Sequence, residues 1–214
     1  MIIVTAFNLV KLYGDKFMRH GVVVALLLSV YGCGSNNPSE SEIKELLSQE
    51  VNKKGCARSS LLKSFPIDSS AAKVNKDILM LFADAGLLEY QNKEYLLTDK
   101  GQAVYDSENE GFCYTSGYTA TDIKVLKEES KDKLPTALSG AWLVSFKAVP
   151  NDLSDWINTE GFIKNASLAS DKTPSEEKEF TIRVAKKHGE EKLILADARF
   201  RFSPGMYFYP NISF

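Results

Sequence analysis

The sequence is poor in the residues that carry most enzymatic and metal chemistry. Its 214 residues include 2 histidines and 3 cysteines, and no group of histidine, cysteine and carboxylate residues has the spacing of a zinc site. A glycine-rich phosphate loop and a Gly-x-Ser-x-Gly nucleophile elbow are also missing. His188 lies in a predicted turn beside Gly189, which is typical of a solvated side chain rather than of a general base. The sequence therefore predicts a non-catalytic protein without a metal or a cofactor.

An excess of positive charge is also lacking. The chain has 26 lysines and arginines against 28 aspartates and glutamates, and without residues 1–32 these numbers fall to 23 and 27, a net charge of −4. This balance disfavours a nucleic-acid partner held by bulk charge. The 44% of hydrophobic residues is enough to bury a core. Residues 33–214 can form one medium domain or two small ones.

The sequence also lacks a long hydrophobic run. The run from Val22 to Val30, interrupted by Ser29, is about half of the roughly 20 residues that a membrane-spanning helix needs. It follows the basic stretch 18–20, and this order is that of a secretory signal peptide. Its end, Val30-Tyr31-Gly32-Cys33, resembles the lipobox of bacterial lipoproteins. The resemblance implies that residues 1–32 are removed and that Cys33 is acylated.

The same resemblance sets expectations for location and partners. Several acyl chains on Cys33 would anchor the protein stably, with residues 33–38 as a lipidated tether. Gly34 stands where an aspartate would retain a lipoprotein in the inner membrane, so the resemblance implies the periplasmic face of the outer membrane. Translation is then expected to start at Met18, with Met1 as the alternative. The alternatives to lipidation are an ordinary cleaved signal peptide and an apolar segment with an incidental cysteine. The expected partners are the membrane and another envelope protein or cell-wall component, and no nucleic acid.

Cys56 and Cys113 are the two cysteines that remain after lipidation of Cys33. Exported proteins fold in an oxidising compartment, where a pair of cysteines forms a disulfide. The sequence therefore predicts a Cys56–Cys113 disulfide. Two buried free thiols are the alternative, since sequence alone cannot bring the two residues together.

Residues 39–106 carry a helical pattern followed by a hairpin. Ser39 and Glu42 have the spacing of a capping box, which predicts a helix from Glu40 to Lys53. A second helical segment is expected over 58–64. A third helix should begin after Asp68 or Ser69 and end at Gly86. Its buried stripe is predicted to be Val74, Ile78, Leu81, Phe82 and Ala85. Two strands over 87–90 and 94–98 and a helical turn opened by residues 98–101 complete the pattern.

This order, with GLLEYQNKEYLLTDKG at 86–101, resembles the winged helix-turn-helix domains of bacterial regulators. In that family the third helix enters the major groove of DNA, and Lys73, Asn75 and Lys76 occupy the matching positions. Export would separate this module from the chromosome, so the resemblance implies a scaffold for structure or protein contacts. A DNA-binding regulator is the alternative for a chain that is not exported.

Residues 111–214 carry the alternating pattern of strands. Trp142, Val144 and Phe146 share one face of a predicted strand, and 180–184 and 193–196 flank a turn at 188–191 as a hairpin. A brief helix is expected after Asn151 or Asp152, carrying Leu153, Trp156 and Ile157, and residues 169–177 are expected to form an exposed loop. The predicted fold class is α+β. It consists of a winged-helix-like module (39–106) and a small antiparallel β-sheet module (111–214) of about four strands with one short helix on one face.

The end of the chain is rich in aromatic residues, and two interpretations stay open. Phe200, Phe202, Tyr207 and Phe208 can complete the core, which is the favoured interpretation because aromatic residues dominate core energetics. An exposed surface of Tyr207, Phe208 and Tyr209 would instead be a binding site. Lys73 and Lys76 are the candidate binding residues of the first module.

Two classes of function fit these observations. The first is an outer-membrane-anchored periplasmic lipoprotein that acts as a non-catalytic protein-interaction or envelope-binding module. The alternative is a periplasmic hydrolase or an inhibitor of a cell-wall hydrolase. A concave pocket with paired buried carboxylates would favour the enzyme, whereas an apolar patch with a polar rim would favour the interaction protein.

Overall fold

The computed structural model describes residues 37–70, 73–165 and 176–211. The predicted signal peptide, Cys33 and residues 34–36 of the predicted tether lie outside these ranges, as does most of the loop expected over 169–177. Within them the chain is of the α+β class, as predicted, with α-helices and three small sheets. No helix in the described ranges is long and apolar enough to cross a membrane.

The helices and strands are short, apart from three long strands near the middle and end of the chain. The helices are α1 (Glu40–Val51), α2 (Lys76–Asp84), α3 (Asp99–Val104) and α4 (Glu160–Asn165). The strands are β1 (Gly55–Arg58), β2 (Ile67–Asp68), β3 (Leu88–Gln91), β4 (Glu94–Leu97), β5 (Tyr105–Asp106), β6 (Gly111–Thr115), β7 (Tyr118–Glu128), β8 (Leu138–Pro150), β9 (Lys178–Lys187), β10 (Leu193–Leu195) and β11 (Met206–Tyr207). Sheet A has the order β11-β1-β6-β5, sheet B β2-β4-β3 and sheet C β10-β9-β8-β7.

Sheet C confirms the predicted four-stranded antiparallel sheet. Every second residue of each strand points to the same side, and one side of the sheet is buried in a core that also contains residues of α1. The helix in the core of this face is α1, from the other end of the described chain, rather than the brief helix expected near residue 153. This second core consists of Ile43, Leu47, Val51, Tyr118, Ala120, Trp142, Val144, Phe146, Ala148, Ile182, Val184, Leu193 and Phe202.

Helix α1 begins at the predicted capping box. The backbone N–H of Glu42 donates to Ser39 Oγ, and the backbone N–H of Ser39 donates to the Glu42 carboxylate at 2.8 Å. Hydrogen bonds from Ser39 lower the pKa of Glu42. Ile43, Leu47 and Val51 are fully buried, four residues apart along one face of the helix. The helix was therefore predictable from its own residues, but its position on sheet C was not.

Sheets A and B, α2 and α4 surround the first core. It consists of Ala57, Leu62, Ile78, Leu79, Leu81, Phe82, Ala85, Leu87, Leu88, Tyr95, Phe112, Tyr114, Trp156, Ile157, Phe162, Met206 and Phe208. The two cores do not follow the order of the modules predicted at 39–106 and 111–214. Helix α1 packs in the second core, whereas residues of β6, α4 and β11 pack in the first.

Two helical predictions need correction. The segment expected over 58–64 is one 3-10 turn, Ser60–Leu62, and it is preceded by strand β1. Strand β1 forms because β6 and β11 pair with its two edges, and no local pattern shows such distant partners. The third helix starts at Lys76 after a 3-10 turn, so Val74 is 48% exposed instead of buried. Leu79 is buried in the first core.

The turns and caps described next lie where the sequence predicts them. Strands β3 and β4 pair in the predicted hairpin, with Asn92 and Lys93 at positive φ angles. Gly86 ends α2 at φ +76°, a conformation that favours glycine. Thr98 caps α3 by accepting from the backbone N–H of Gly101, and β9 and β10 form the hairpin predicted around residues 188–191. These predictions are confirmed.

Helix α1 runs along the length of sheet C. Near its start Glu42 lies 3.8 Å from Lys186, close to the turn between β9 and β10. Beyond its end Asn52 lies against Gly117, just before β7 begins. The chain passes to the first core at this second end, where the hydroxyls of Tyr114 and Tyr118 are 3.3 Å apart. The first core therefore lies at the end of sheet C opposite to the start of α1.

The C-terminal segment connects the two cores. Phe202 is buried in the second core, and Phe208 is fully buried in the first. Asn75 holds the end of this segment with two hydrogen bonds. Its Oδ1 accepts from the backbone N–H of Asn211 at 2.6 Å, and its Nδ2 donates to the Asn211 carbonyl at 3.3 Å. The C-terminal segment is therefore also hydrogen-bonded to the residue that immediately precedes α2.

Candidate functional site

The two lysines predicted as binding residues line a groove beside α2. We call it the α2 groove. It has a volume of about 460 Å³ and is lined by Ser69, Lys73, Lys76, Met80, Ala83, Asp84, Tyr90 and Tyr95. This volume is within the range of about 300–1,000 Å³ that is typical of ligand sites. The structure therefore brings Lys73 and Lys76 into one surface feature with residues of the β3–β4 hairpin.

Two elements form the walls of the α2 groove. Lys76, Met80 and Ala83 are three or four residues apart in α2, so they share one face of the helix. Tyr90 and Tyr95 are direct partners in the β3–β4 pair, so they lie on the same face of sheet B, with ring centroids 5.0 Å apart. Tyr95 is 4% exposed, and burial raises the pKa of its phenol.

Exposed apolar side chains concentrate around the α2 groove. Five large hydrophobic residues of the described ranges are exposed: Val74, Met80, Tyr90, Leu126 and Tyr209. Met80 and Tyr90 line the groove, and Val74 is the next residue in sequence after Lys73 but lies outside the lining. A contiguous group of exposed apolar residues with a polar rim is typical of an interaction site. No local sequence signal marks Met80 or Tyr90, because their proximity depends on packing between α2 and the hairpin.

The charges of the α2 groove are unevenly distributed. Lys73 and Lys76 lie where α2 begins, whereas Asp84 is its last residue. Neither lysine forms an ion pair with another residue of the described ranges. The hydroxyls of Tyr90 and Ser69 are 3.4 Å apart at the rim. The groove thus has a basic end, an apolar middle and an acidic end.

The C-terminal aromatic residues divide between core and surface. Phe208 is fully buried, so it is not available as the surface binding residue that the sequence suggested. Tyr207 is half-buried, and its ring lies 4.7 Å from that of Tyr209, which is 68% exposed. The interpretation of this segment as part of the core is confirmed for Phe202 and Phe208. Neither Tyr207 nor Tyr209 lines the α2 groove.

A larger hollow near the end of β7 is polar. Its volume is about 700 Å³, and seven of its eight lining residues are charged or polar: Lys127, Glu128, Glu129, Ser130, Lys131, Lys133 and Arg183, with Leu143 as the eighth. The Arg183 guanidinium donates to Glu129 at 2.6 Å, so this carboxylate is paired with a cation. In the described part of the chain, no group of three or more histidine, cysteine or carboxylate residues could hold a metal ion.

Cys56 and Cys113 lie opposite each other in β1 and β6, at disulfide distance. The sequence predicted this pairing from the expected compartment. Strand β1 lies between β6 and β11, so the cysteine pair joins two neighbouring strands of sheet A. Cys56 is buried and Cys113 is partly exposed.

The carboxyl group of Asp106, near Cys113, has the most strongly shifted pKa in the described ranges. Lys54 Nζ donates to its carboxylate at 2.8 Å, and this bond, with another from the backbone N–H of Asn109, lowers the pKa of Asp106 to about 2. Because the folded-state pKa is lowered, the stabilisation is present above the unfolded value of about 4 and is lost as the pH falls towards 2. Lys54 is more than half exposed, so solvent screening keeps the contribution of this pair to stability small.

We expect the difference in unfolding free energy between the wild type and Asp106→Asn to depend on pH. Urea titrations should give a constant difference above about pH 5 and a smaller one at each step towards pH 2. Glu45→Gln, at an exposed carboxylate outside any ion pair of the described ranges, is the control, and its difference from the wild type should stay nearly constant with pH. A difference that is equal at pH 6 and pH 2, or that grows on acidification, would contradict this assignment.

Comparison with protein-family models, with curated proteins and with solved structures finds no match to this chain. The fold and the α2 groove define its class: an α+β protein with two interleaved cores and a partly apolar surface groove on the first of them.

Proposed function

We propose that this protein is an outer-membrane-anchored periplasmic lipoprotein that acts as a non-catalytic interaction module, with the α2 groove as its contact surface. The observation that carries the proposal is the concentration of exposed apolar side chains around this groove, with Met80 and Tyr90 in its lining. Exposed Met and aromatic residues are common at protein-binding surfaces.

Export is supported by two independent features. The first is the lipobox-like sequence Val30-Tyr31-Gly32-Cys33 after a short apolar run. The second is the disulfide distance between Cys56 and Cys113, because disulfides persist in the periplasm and are rare in the cytosol. We propose that Cys33 carries the acyl chains and that residues 33–38 form the tether.

We also propose that the groove belongs to a modified winged-helix scaffold. A helix followed by a hairpin, with β2 pairing to the second hairpin strand in the order β2-β4-β3, supports this assignment. DNA binding is disfavoured because Asp77 and Asp84 share α2 with Lys76, and because Asn75, before the helix, is bonded to Asn211. The scaffold therefore serves protein contact in this proposal.

The position of α1 supports display of the groove away from the membrane. The tether would leave at Ser39, beside the β9–β10 turn, whereas the first core lies at the other end of sheet C. A fully extended tether of six residues reaches about 20 Å, so it would hold the β9–β10 end close to the lipid surface. The first core, which carries the α2 groove, would then lie further from the lipid surface than the β9–β10 end.

Site-specific photo-crosslinking in intact bacteria tests this function. A benzophenone amino acid in place of Met80 or Tyr90 should give one discrete adduct with an envelope protein. The same probe at Leu126, which is also exposed and apolar but lies on sheet C, is the matched control and should give none. The intact mass of the membrane-bound protein should correspond to a chain that starts at Cys33 with added acyl groups.

Three outcomes would contradict the proposal. An unacylated chain in the cytosol would exclude the lipoprotein and favour the DNA-binding alternative. Adducts of equal yield from Leu126 and Met80 would show that the groove is not a specific surface. Adducts that persist unchanged in Cys33→Ser, a variant that cannot be acylated, would show that the partner does not depend on membrane anchoring.

A further inference from the structure

We infer that the α2 groove binds an extended segment of a partner protein in which one or two carboxylate side chains adjoin a large apolar side chain. This inference, which rests on the function proposed above, names the chemistry of the partner at the same surface. The inference is based on three properties of the groove: its length, the charges at its two ends and its apolar middle. Each of them matches a property of such a segment.

The dimensions of the groove suit a short extended peptide. Its lining runs from Lys73, in the 3-10 turn before α2, to Asp84 at the end of α2, which corresponds to about 18 Å at about 2.0 Å per residue in the turn and about 1.5 Å per residue in the helix. An extended chain rises about 3.3 Å per residue, so about five residues span this length. The volume of about 460 Å³ provides room for the side chains on one face of such a segment.

The charges give the segment a preferred composition. Lys73 and Lys76 place two ammonium groups at one end of the groove, and no other described residue pairs with them. Carboxylates are the complementary groups, because each can accept a charge-assisted hydrogen bond from a lysine. Asp84 at the opposite end disfavours a second acidic residue there. The acidic part of the segment should therefore lie over the start of α2.

The middle of the groove suits a large apolar side chain. Met80 is 42% exposed and Tyr90 is 58% exposed, and burial of this surface by a partner would be favourable. The flexible Met80 can adapt to different apolar groups, while the Tyr90 ring offers a flat surface for packing. The Ser69 and Tyr90 hydroxyls can bond to the backbone of the segment. The apolar residue should thus follow the acidic ones within the same short segment.

Fluorescence polarisation with two labelled pentapeptides tests this chemistry. The probes are Asp-Asp-Leu-Phe-Ser and Lys-Lys-Leu-Phe-Ser, each measured with the full-length acylated protein in detergent. The wild type should bind the acidic probe about tenfold more tightly, because two ion pairs contribute about this much. The double variant Lys73→Glu/Lys76→Glu should invert the order of the two probes.

Matched variants separate local from general effects. Lys44→Glu/Lys131→Glu makes the same change in net charge at exposed positions outside the groove, and it should keep the wild-type preference. Tyr90→Ser should weaken both probes about tenfold without changing their order, whereas Leu126→Ser should leave both unchanged. Circular dichroism of every variant checks that the fold is retained.

Equal affinity of the wild type for both probes, or a preference that survives Lys73→Glu/Lys76→Glu, would overturn the inference. Displacement of the acidic probe by a DNA duplex at lower concentration than by unlabelled peptide would overturn it too. So would self-association in sedimentation that Tyr90→Ser abolishes, since a second copy would then occupy the groove. A Met80 adduct from cells combined with equal probe affinities would leave the interaction function standing and refute only the acidic-apolar chemistry.

Discussion

Replacement of Phe82 by alanine should lower the free energy of unfolding by about 3–5 kcal/mol, the usual cost of removing a buried aromatic ring. Phe82 is fully buried in α2, and its ring centroid lies 5.2, 5.8 and 5.4 Å from those of Phe112, Phe162 and Phe208. These three residues come from β6, from α4 and from the C-terminal segment. One truncation therefore removes contacts among four distant parts of the chain.

Urea denaturation followed by fluorescence and by circular dichroism measures this effect. Val74→Ala is the matched control, because Val74 precedes the same helix but is 48% exposed, and its cost should be within about 0.5 kcal/mol. Phe146→Ala is informative as a second comparison, since Phe146 is buried in the second core. A loss below about 1 kcal/mol for Phe82→Ala would contradict the packing of the first core around this ring.

Loss of the cysteine pair should lower the free energy of unfolding by about 3–4 kcal/mol, as expected for a cross-link that closes a loop of this length. Cys56 and Cys113 are separated by 57 positions, and they join β1 to β6 at the centre of sheet A. The double variant Cys56→Ser/Cys113→Ser should show this loss in urea at neutral pH. Treatment of the wild type with a reductant should give a similar decrease.

The Cys33→Ser variant is the control for this experiment, because it removes a cysteine that the disulfide does not involve. Its unfolding free energy should equal that of the wild type, although it should no longer fractionate with membranes. Mass analysis should show a two-dalton gain when the wild type is reduced. Two reactive thiols in the unreduced protein, or equal stability with and without reductant, would refute the disulfide.

Local signals explain why part of the fold could be predicted. The capping box at Ser39 and Glu42, the cap at Thr98 and the positive φ angle at Gly86 each depend on residues a few positions apart. Hairpins bring neighbouring segments together, so β3–β4 and β9–β10 follow from alternation and turn residues. Such elements depend only on residues that are close in sequence, so their patterns can be recognised without knowledge of the tertiary structure.

Sheet A could not be predicted because its partners are distant. Its central strand β1 is the segment Gly-Cys-Ala-Arg, which has no β-branched or aromatic residue to indicate a strand. Strands β6 and β11 provide its hydrogen bonds from about 55 and 150 positions further along the chain. The pairing of Cys56 with Cys113 was predicted from the expected compartment, but its place in the sheet was not.

The α2 groove shows the same division. Lys73 and Lys76 were recognised by their place in a helix-and-hairpin pattern, whereas Met80 and Tyr90 were not. Periodicity identifies the buried stripe of a helix, but it does not show which exposed side chains of two elements become neighbours. The burial of Phe208 also depended on packing, because an aromatic residue near a terminus suits either a core or a surface.

The sequence by itself determined the composition class, most of the turns and helix caps and the four-stranded sheet C, and it limited a disulfide to Cys56 and Cys113 if Cys33 is acylated. These features depend on local backbone preferences, on alternation along single strands and on the small number of cysteines. The tertiary structure decided that α1 covers sheet C, that β1 and β11 join sheet A, and that Met80 and Tyr90 line the same groove. Contacts between residues far apart in the chain determine these features, because an apolar face is satisfied by any complementary surface and only the whole fold selects which one it meets.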